Sequence, residues 1–316
     1  MKSTSIKTML LCGVIAAALA AAGCNHIKPD PNPDPDKPSL TKEQVIESIN
    51  ANNRKINSII YFMKATITSP RYPNGQNADL TIIYEKPNKL MLSLSILNGP
   101  DLLKIKTDGE YIDILDTFDI NKPMGRIAKI ERLKNMPGEI ATFQPGFITK
   151  AVGADILDPS VTTMTIVEGA YILTMPETDN RIRRITVDSK TMRVVRQEIY
   201  KKLSGATTMA LGAQEIDVKY LAHAEAWTDN NSLSAILPTH IVVTVYSGLN
   251  KSILDMKIPS VKKDNMRLNS ERRVNLGTVG SWRIKDWGKA PIEELDENGQ
   301  WVKPESTSET PEPSNN

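Results

Sequence analysis

Apolar and polar positions alternate with a period of two along most of the chain. The clearest stretch is 90–97, where Leu90, Leu92, Leu94 and Ile96 fall on one side and Met91, Ser93 and Ser95 on the other. That alternation is the mark of a strand with one buried face. Similar β-branched or alternating runs cover 59–68, 80–84, 213–220, 240–246 and 252–258. Three further pairs of runs flank turn signals: 103–106 and 111–115 around Asp108-Gly109, 164–167 and 171–175 around Glu168-Gly169, and 181–187 and 192–200 around 188–191. Asp-Gly points to a type I′ hairpin, with positive φ at both central positions. About ten strands joined by short turns predict an antiparallel meander.

Two segments break this period. Thr41 and Gln44 form a T-x-x-Q capping box, after which Val45, Ile46, Ile49, Ala51 and Ile56 recur at helical spacing until Asn52-Asn53 weaken the pattern. Phe147, Ile148, Ala151 and Val152 predict a second, short helix between Pro145-Gly146 and Gly153. Residues 124–142, with IAKIERLK, read equally as helix or strand. A long antiparallel sheet must cover its apolar face. The expectation is therefore a mainly β protein whose curved sheet curls, without closing, around short helices.

The ends of the chain are unlike its middle. Residues 1–23 hold two lysines, an apolar run from Met9 to Ala22, and Ala21-Ala22-Gly23 directly before Cys24. The run is too short for a comfortable membrane span and right for a signal-peptide core. Small residues before a cysteine resemble the lipobox of bacterial lipoproteins, although Ala21 stands where that motif usually has leucine. The resemblance implies cleavage before Cys24, acylation of its thiol and anchorage in a membrane. Asn25 is not the aspartate that marks inner-membrane retention in enteric lipoproteins, so the family rule points to the outer membrane, facing the periplasm. Residues 24–40 then form a Pro/Asp-rich tether; its prolines exclude helix and sheet. As an extended spacer it would reach on the order of 40 Å. Residues 41–287 are the folded body. Residues 288–316, rich in Pro, Glu, Ser and Thr, are expected to be a disordered tail with a local contact at Trp301.

The order helix, strands, short helix, strands resembles the Lol family, the periplasmic lipoprotein carrier and its outer-membrane receptor. The residues that carry the likeness are RKINSII, ADLTIIYEKPNKLMLSLS, the Gly99-Pro100 break before LLKIKTDGEYIDIL, and ITVDSKTMRVVRQEIY. It extends over roughly 41–260; after Ser260 the chain departs from the family's ending. The resemblance implies an unclosed β-barrel with helices in its mouth and an apolar ligand, either lipid or the acyl chains of another lipoprotein. Candidate liners are Leu92, Leu94, Ile96, Ile105, Ile112 and Ile114, with Met164 and Ile166 from the other half. The same residues suit a solid core in a structural or interaction module, and periodicity does not separate the two.

Charge and chemistry narrow the classes. The chain carries 39 basic and 37 acidic residues; removing Lys2 and Lys7 with the signal leaves a balanced mature chain, which disfavours nucleic-acid binding. Cys12 leaves with the signal too, so the mature body has no thiol for a disulfide or metal site. His26, His223 and His240 lack metal-ligand spacing, and no nucleophile elbow, P-loop or dinucleotide motif is present. No cofactor, metal or catalytic residue is therefore expected, and the chain does not read as an enzyme. Asp113, Asp116 and Asp119 recur every third residue without a glycine-turned calcium loop and read as a solvated strand end. Arg181, Arg183, Arg184, Arg193 and Arg196 make one hairpin basic and read as a solvated face, with lipid headgroups as the alternative partner.

If Cys24 is the acylated mature terminus, Cys24→Ala should release the protein from the membrane fraction or leave it unprocessed. Mass spectrometry of the mature N-terminus checks this; an unmodified terminus at any other residue would overturn it.

Overall fold

The computed structural model describes residues 40–303 except 71, 97–100, 118–122, 134–149, 179, 204–208, 229–231, 249, 260–265, 270–290 and 298–299. Cys24, the signal and tether, Phe147, Ile148, Asp119 and the last residues of the tail lie outside the described residues. The stretch Thr41–Asn316 forms one compact unit by itself.

It opens with α1 (Lys42–Arg54). The capping box is formed: Gln44 N donates to Thr41 Oγ1 and Thr41 N donates to Gln44 Oε1. Strands β1 (Ser58–Ser69), β2 (Tyr72–Glu85), β3 (Lys89–Ile96), β4 (Asp101–Thr107), β5 (Tyr111–Asp116) and β6 (Met124–Lys129) follow as a meander. The ambiguous IAKIERLK is both things in turn, since β6 runs directly into a single helical turn, α2 (Ile130–Leu133). After a short helical end at Lys150-Ala151 come β7 (Thr163–Val167), β8 (Ala170–Thr178), β9 (Arg181–Asp188), β10 (Val194–Lys202), β11 (Leu211–Trp227), β12 (Ser234–Ser247) and β13 (Asn250–Lys257). Three short strands complete the set: β14 (Met266–Leu268), β15 (Ile292–Leu295) and β16 (Trp301–Val302).

All sixteen strands belong to one sheet, which runs from β16 to β7 without closing. Its two halves join where β1 pairs with β13, so the first strand of the body lies mid-sheet. Inward residues of β1–β5 and of β10–β13 meet in one core, including Tyr61, Leu80, Leu90, Ile105, Ile112, Val218, Leu237 and Ile241. The period of two in β3 is as the sequence implies: Leu90, Leu92 and Leu94 are buried, and the residues between them partly exposed.

Four expectations are corrected. The Asp108-Gly109 hairpin forms, but not through a two-residue type I′ turn. Thr107 pairs with Ile112, and Asp108 Oδ1 accepts from both Glu110 N and Tyr111 N, so the loop has four residues and only Gly109 takes a positive φ (+104°). A Cβ there would sit 3.0 Å from Asn88 Cβ, in the neighbouring β2–β3 turn. Second, the sheet is not wholly antiparallel, because β15 pairs with β6 in parallel. Third, part of the stretch expected to be disordered forms β15 and β16, with Leu295 fully buried; Trp301, expected to make a local contact, packs on the core, and the Arg126 guanidinium lies 5.4 Å from its ring centroid. Fourth, Asp113 is no solvated strand end; it is fully buried, opposite buried Lys106 in the β4–β5 register.

The narrow apolar stripe of α1 (Val45, Ile46, Ile49) is buried, and its asparagines complete the docking. Asn50 Nδ2 donates to Leu157 O and Asn50 Oδ1 accepts from Leu157 N, both at 2.8 Å. Asn52 makes the same two bonds with Ile236, at 2.9 and 2.7 Å, on the stretch of β12 beyond the end of its pairing with β13. Asn53 Nδ2 donates to Asp155 O at 2.6 Å. Each amide acts as a piece of peptide backbone, satisfying chain that the ladder leaves unpaired.

Asn50→Ala leaves the buried amide and carbonyl of Leu157 without that partner, at about 1–3 kcal/mol per orphaned group. Its denaturant midpoint should fall clearly. Glu47→Ala, which removes the exposed ion pair with Arg54, should leave the midpoint nearly unchanged.

Candidate functional site

A cavity of about 400 Å³ opens between α1, the 150–157 segment and the inner face of β9–β12. Its apolar wall is Ile49, Leu157, Ile185, Met192, Val194, Ile236 and Pro238; its polar lining includes Asn52, Asn53, Lys150, Asp155, Arg183, Arg193, Gln197, Tyr220 and His223.

Irregularities in three adjacent strands build this wall. In a regular strand, residues three apart point to opposite faces. Val194 and Gln197 nevertheless both line the cavity, because the β9–β10 register slips between Val194 and Arg196. Tyr220 and His223 do likewise, because the β11–β12 register slips between Tyr220 and Ala222 and leaves Leu221 exposed. On β12 a second slip passes over Thr239, beside Pro238; Ile236 and Pro238 line the cavity there, while Leu237 and Ile241 stay in the core. Bulges of this kind re-aim side chains and bend the strand, and proline is tolerated where the ladder is interrupted.

The floor is a hydrogen-bonded network. Buried Arg183 donates through Nε to Gln197 Oε1 at 2.9 Å, and its terminal nitrogens reach Gln197 Oε1 and Asp155 Oδ2. Gln197 Nε2 donates to Lys150 O at 2.9 Å and to Tyr220 OH, which itself donates to Lys150 O at 3.3 Å. The Lys150 ammonium pairs with Glu177. Burial holds the Tyr220 phenol well above its ordinary value, so it stays a neutral donor and acceptor. His223 stacks at a tilt 6.0 Å from Tyr220. Burial first, and Arg193 second, depress its pKa, while a hydrogen bond with the Val194 backbone works the other way.

None of the liners expected from the sequence lies on this cavity. Leu92, Leu94, Ile105, Ile112 and Ile114 are packed in the core, and Ile96 is partly buried against it. On β7, the sheet's last strand, Met164 is partly exposed and Ile166 is 55% exposed. The five arginines are not a simple solvated face. Arg183 is buried in the cavity floor and Arg193 lines the wall. Arg181 pairs with Glu215 at 2.7 Å. On the face away from the cavity, Arg184 binds buried Glu198 at 2.7 Å, and Arg196 binds buried Asp217 at 2.7 Å and Glu198 at 3.2 Å. Burial, then the bond to Glu198, push Tyr200 there up to about 12. His240 lies outside the cavity lining and contacts Asp255 at 2.8 Å. Among the described residues no group of three or more His, Cys, Asp or Glu could hold a metal ion.

Sequence reasoning missed Asn50, Asn52, Asn53, Gln197 and Tyr220. One local signal existed: three asparagines in the last turns of a helix are poor helix formers, and such a conflict often marks a residue held by tertiary contacts.

No protein-family model and no curated protein matches the chain. Among solved structures it is similar to a LolA superfamily protein from Nitrosomonas europaea, at 12% identity and a TM-score of 0.45 over 76% of this chain and 98% of that one. It is also similar to an outer-membrane lipoprotein-sorting protein domain from Vibrio parahaemolyticus (11%, TM-score 0.42, 74% of this chain and 96% of that one). A DUF1329 family protein from Desulfovibrio piger gives 10% and 0.42, over 78% and 97%. At such identities the likeness concerns the fold alone. The unclosed sheet with a helix on its inner face is the architecture that the sequence resemblance implied.

Because His223 ionises below its ordinary 6.5 in the folded chain, the unfolded chain takes up a proton there first. This contribution to stability is present above 6.5 and is lost as pH falls through the folded pKa. The denaturant midpoint should drop between about pH 7.5 and about pH 5.5, and His223→Gln should make that drop smaller. An unchanged pH slope in the variant would contradict the assignment.

Proposed function

We propose that this protein is a non-enzymatic lipoprotein of the bacterial cell envelope. In this reading Cys24 carries the acyl anchor, residues 24–40 are the tether, and the body faces the periplasm from the outer membrane. The body binds an apolar ligand, lipid or the acyl chains of another lipoprotein, in its half-barrel. One observation carries the proposal: the cavity between α1 and the inner face of β9–β12 has Ile49, Leu157, Ile185, Val194 and Ile236 in its wall. Its volume of about 400 Å³ falls within the range of small-molecule sites, about 300–1,000 Å³. Apolar groups transferred into it gain about 0.8 kcal/mol per CH₂.

The binding surface proposed here is this wall. Leu92, Leu94, Ile96, Ile105, Ile112 and Ile114 serve as the packed support beneath the other half of the sheet, with Met164 and Ile166 at its far edge. That solid packing favours the second reading, a structural or interaction module without a ligand.

The two readings part on a paired measurement, made on protein that begins at Asn25 and so carries no acyl group. A fluorescent fatty-acid probe should bind saturably. Val194→Phe and Ile236→Phe, at partly exposed positions of the wall, should weaken binding with little change in denaturant midpoint. Ile105→Phe and Ile112→Phe, fully buried in the core, should cost about 1–3 kcal/mol by overpacking and leave the affinity of the folded fraction unchanged. Absence of probe binding by the parent would favour the structural module.

A further inference from the structure

We propose that the turn between β9 and β10, through Arg193, makes the cavity selective for a single-chain amphiphile with an anionic head. This rests on the reading of the cavity as a ligand site. Three cations line the cavity, and two are neutralised within the protein: Lys150 by Glu177 and Arg183 by Asp155. Arg193 forms no ion pair among the described residues. Among the described residues Arg193 is thus the cation of the lining without an ion pair, and its guanidinium carries a fork of donors suited to a carboxylate or phosphate.

The backbone of the same turn gives a second, independent observation. Met192 has φ +55°, and among the described residues only Asn269 shares a positive φ without being glycine. Asparagine tolerates that conformation through local hydrogen bonds; methionine has none to make and carries the steric cost of its Cβ. Glycine would remove that cost. The strained residue is held by Asp188, whose Oδ1 accepts from Lys190 N and Thr191 N, while Met192 N donates to Asp188 O. The side chain so placed is an unbranched thioether lining the cavity beside Arg193. Strain of this kind persists where the surroundings fix it, and it gathers at ligand sites. The turn therefore presents together an adaptable apolar group and a cation with no ion pair among the described residues, in one cavity with the apolar wall of Ile49, Leu157 and Ile236. Chain against wall and head against Arg193 is the arrangement that uses both. A cavity of about 400 Å³ lies near the small end of the range for ligand sites, about 300–1,000 Å³, which suits one chain rather than two.

The test compares three probes of equal chain length on protein beginning at Asn25: palmitate, a monoacyl phosphate and the uncharged palmityl alcohol. An anionic probe should bind more tightly than the alcohol by about tenfold or more; whichever anion shows this identifies the head group. Arg193→Gln should abolish the preference while leaving alcohol binding intact. Met192→Gly should weaken all three probes while its denaturant midpoint holds or rises, because the strain is relieved. Equal affinity for charged and uncharged probes, or a preference that survives Arg193→Gln, overturns the anionic assignment and leaves the cavity reading standing. Failure of all three probes to bind overturns both.

Discussion

The arrangement depends on backbone groups that the sheet cannot satisfy. Where β12 runs past the end of β13, and where the 150–157 segment crosses the inner face, amides and carbonyls lack ladder partners. The side chains of Asn50, Asn52 and Asn53 supply them. A helix whose apolar stripe is only Val45, Ile46 and Ile49 would otherwise be weakly oriented. Asn50 and Asn52 with two bonds each, and Asn53 with one, fix its position and leave a space between part of the helix and the sheet. The cavity is the geometric remainder of that docking.

Bulges decide what the space contains. Slips in β10, β11 and β12 fall at one level of the sheet, where residues three apart, Val194 with Gln197 and Tyr220 with His223, come to line one cavity. Below that level the inner face is aliphatic and solid; at it, the face carries Gln197, Tyr220 and His223. Burying Arg183 there is costly unless its donors are used. Asp155, Gln197 and, through Gln197, Lys150 O and Tyr220 complete the network, which ties the cavity floor to the chain leading out of the short helix. The members of this polar floor satisfy one another, the condition under which a buried network specifies one arrangement.

The opposite face of the same strands shows a different use of charge. Arg184 and Arg196 cover Glu198 and Asp217, whose carboxylates are almost wholly buried beneath them. A row read as basic is thus close to neutral where it stands. At the other end of the sheet, β15 and β16 extend β6, and Leu295 and Trp301 join the core. A short parallel pairing there extends the sheet beyond the meander that the turns alone would produce.

The sequence by itself determined the capped helix, most of the strands from β1 to β13 and the place, though not the type, of the Asp108-Gly109 turn, and hence a mainly β chain with one large sheet. Those features depend on contacts between near neighbours, and period and turn chemistry record them locally. It also marked Leu90, Leu92 and Leu94 as one buried face. Only the tertiary structure decided that this face is filled and that the open space lies at Val194, Gln197, Tyr220 and His223. A one-residue bulge has no turn residue or other fixed signature in the sequence, yet it brings residues three apart, such as Val194 and Gln197, to one cavity. Nor could composition show that Ile292–Leu295 would find β6, or that Asn50 and Leu157 would pair across more than a hundred residues. Whether an arginine is solvated, paired or left facing a cavity depends on the partner that folding brings to it, and that partner comes from elsewhere in the chain.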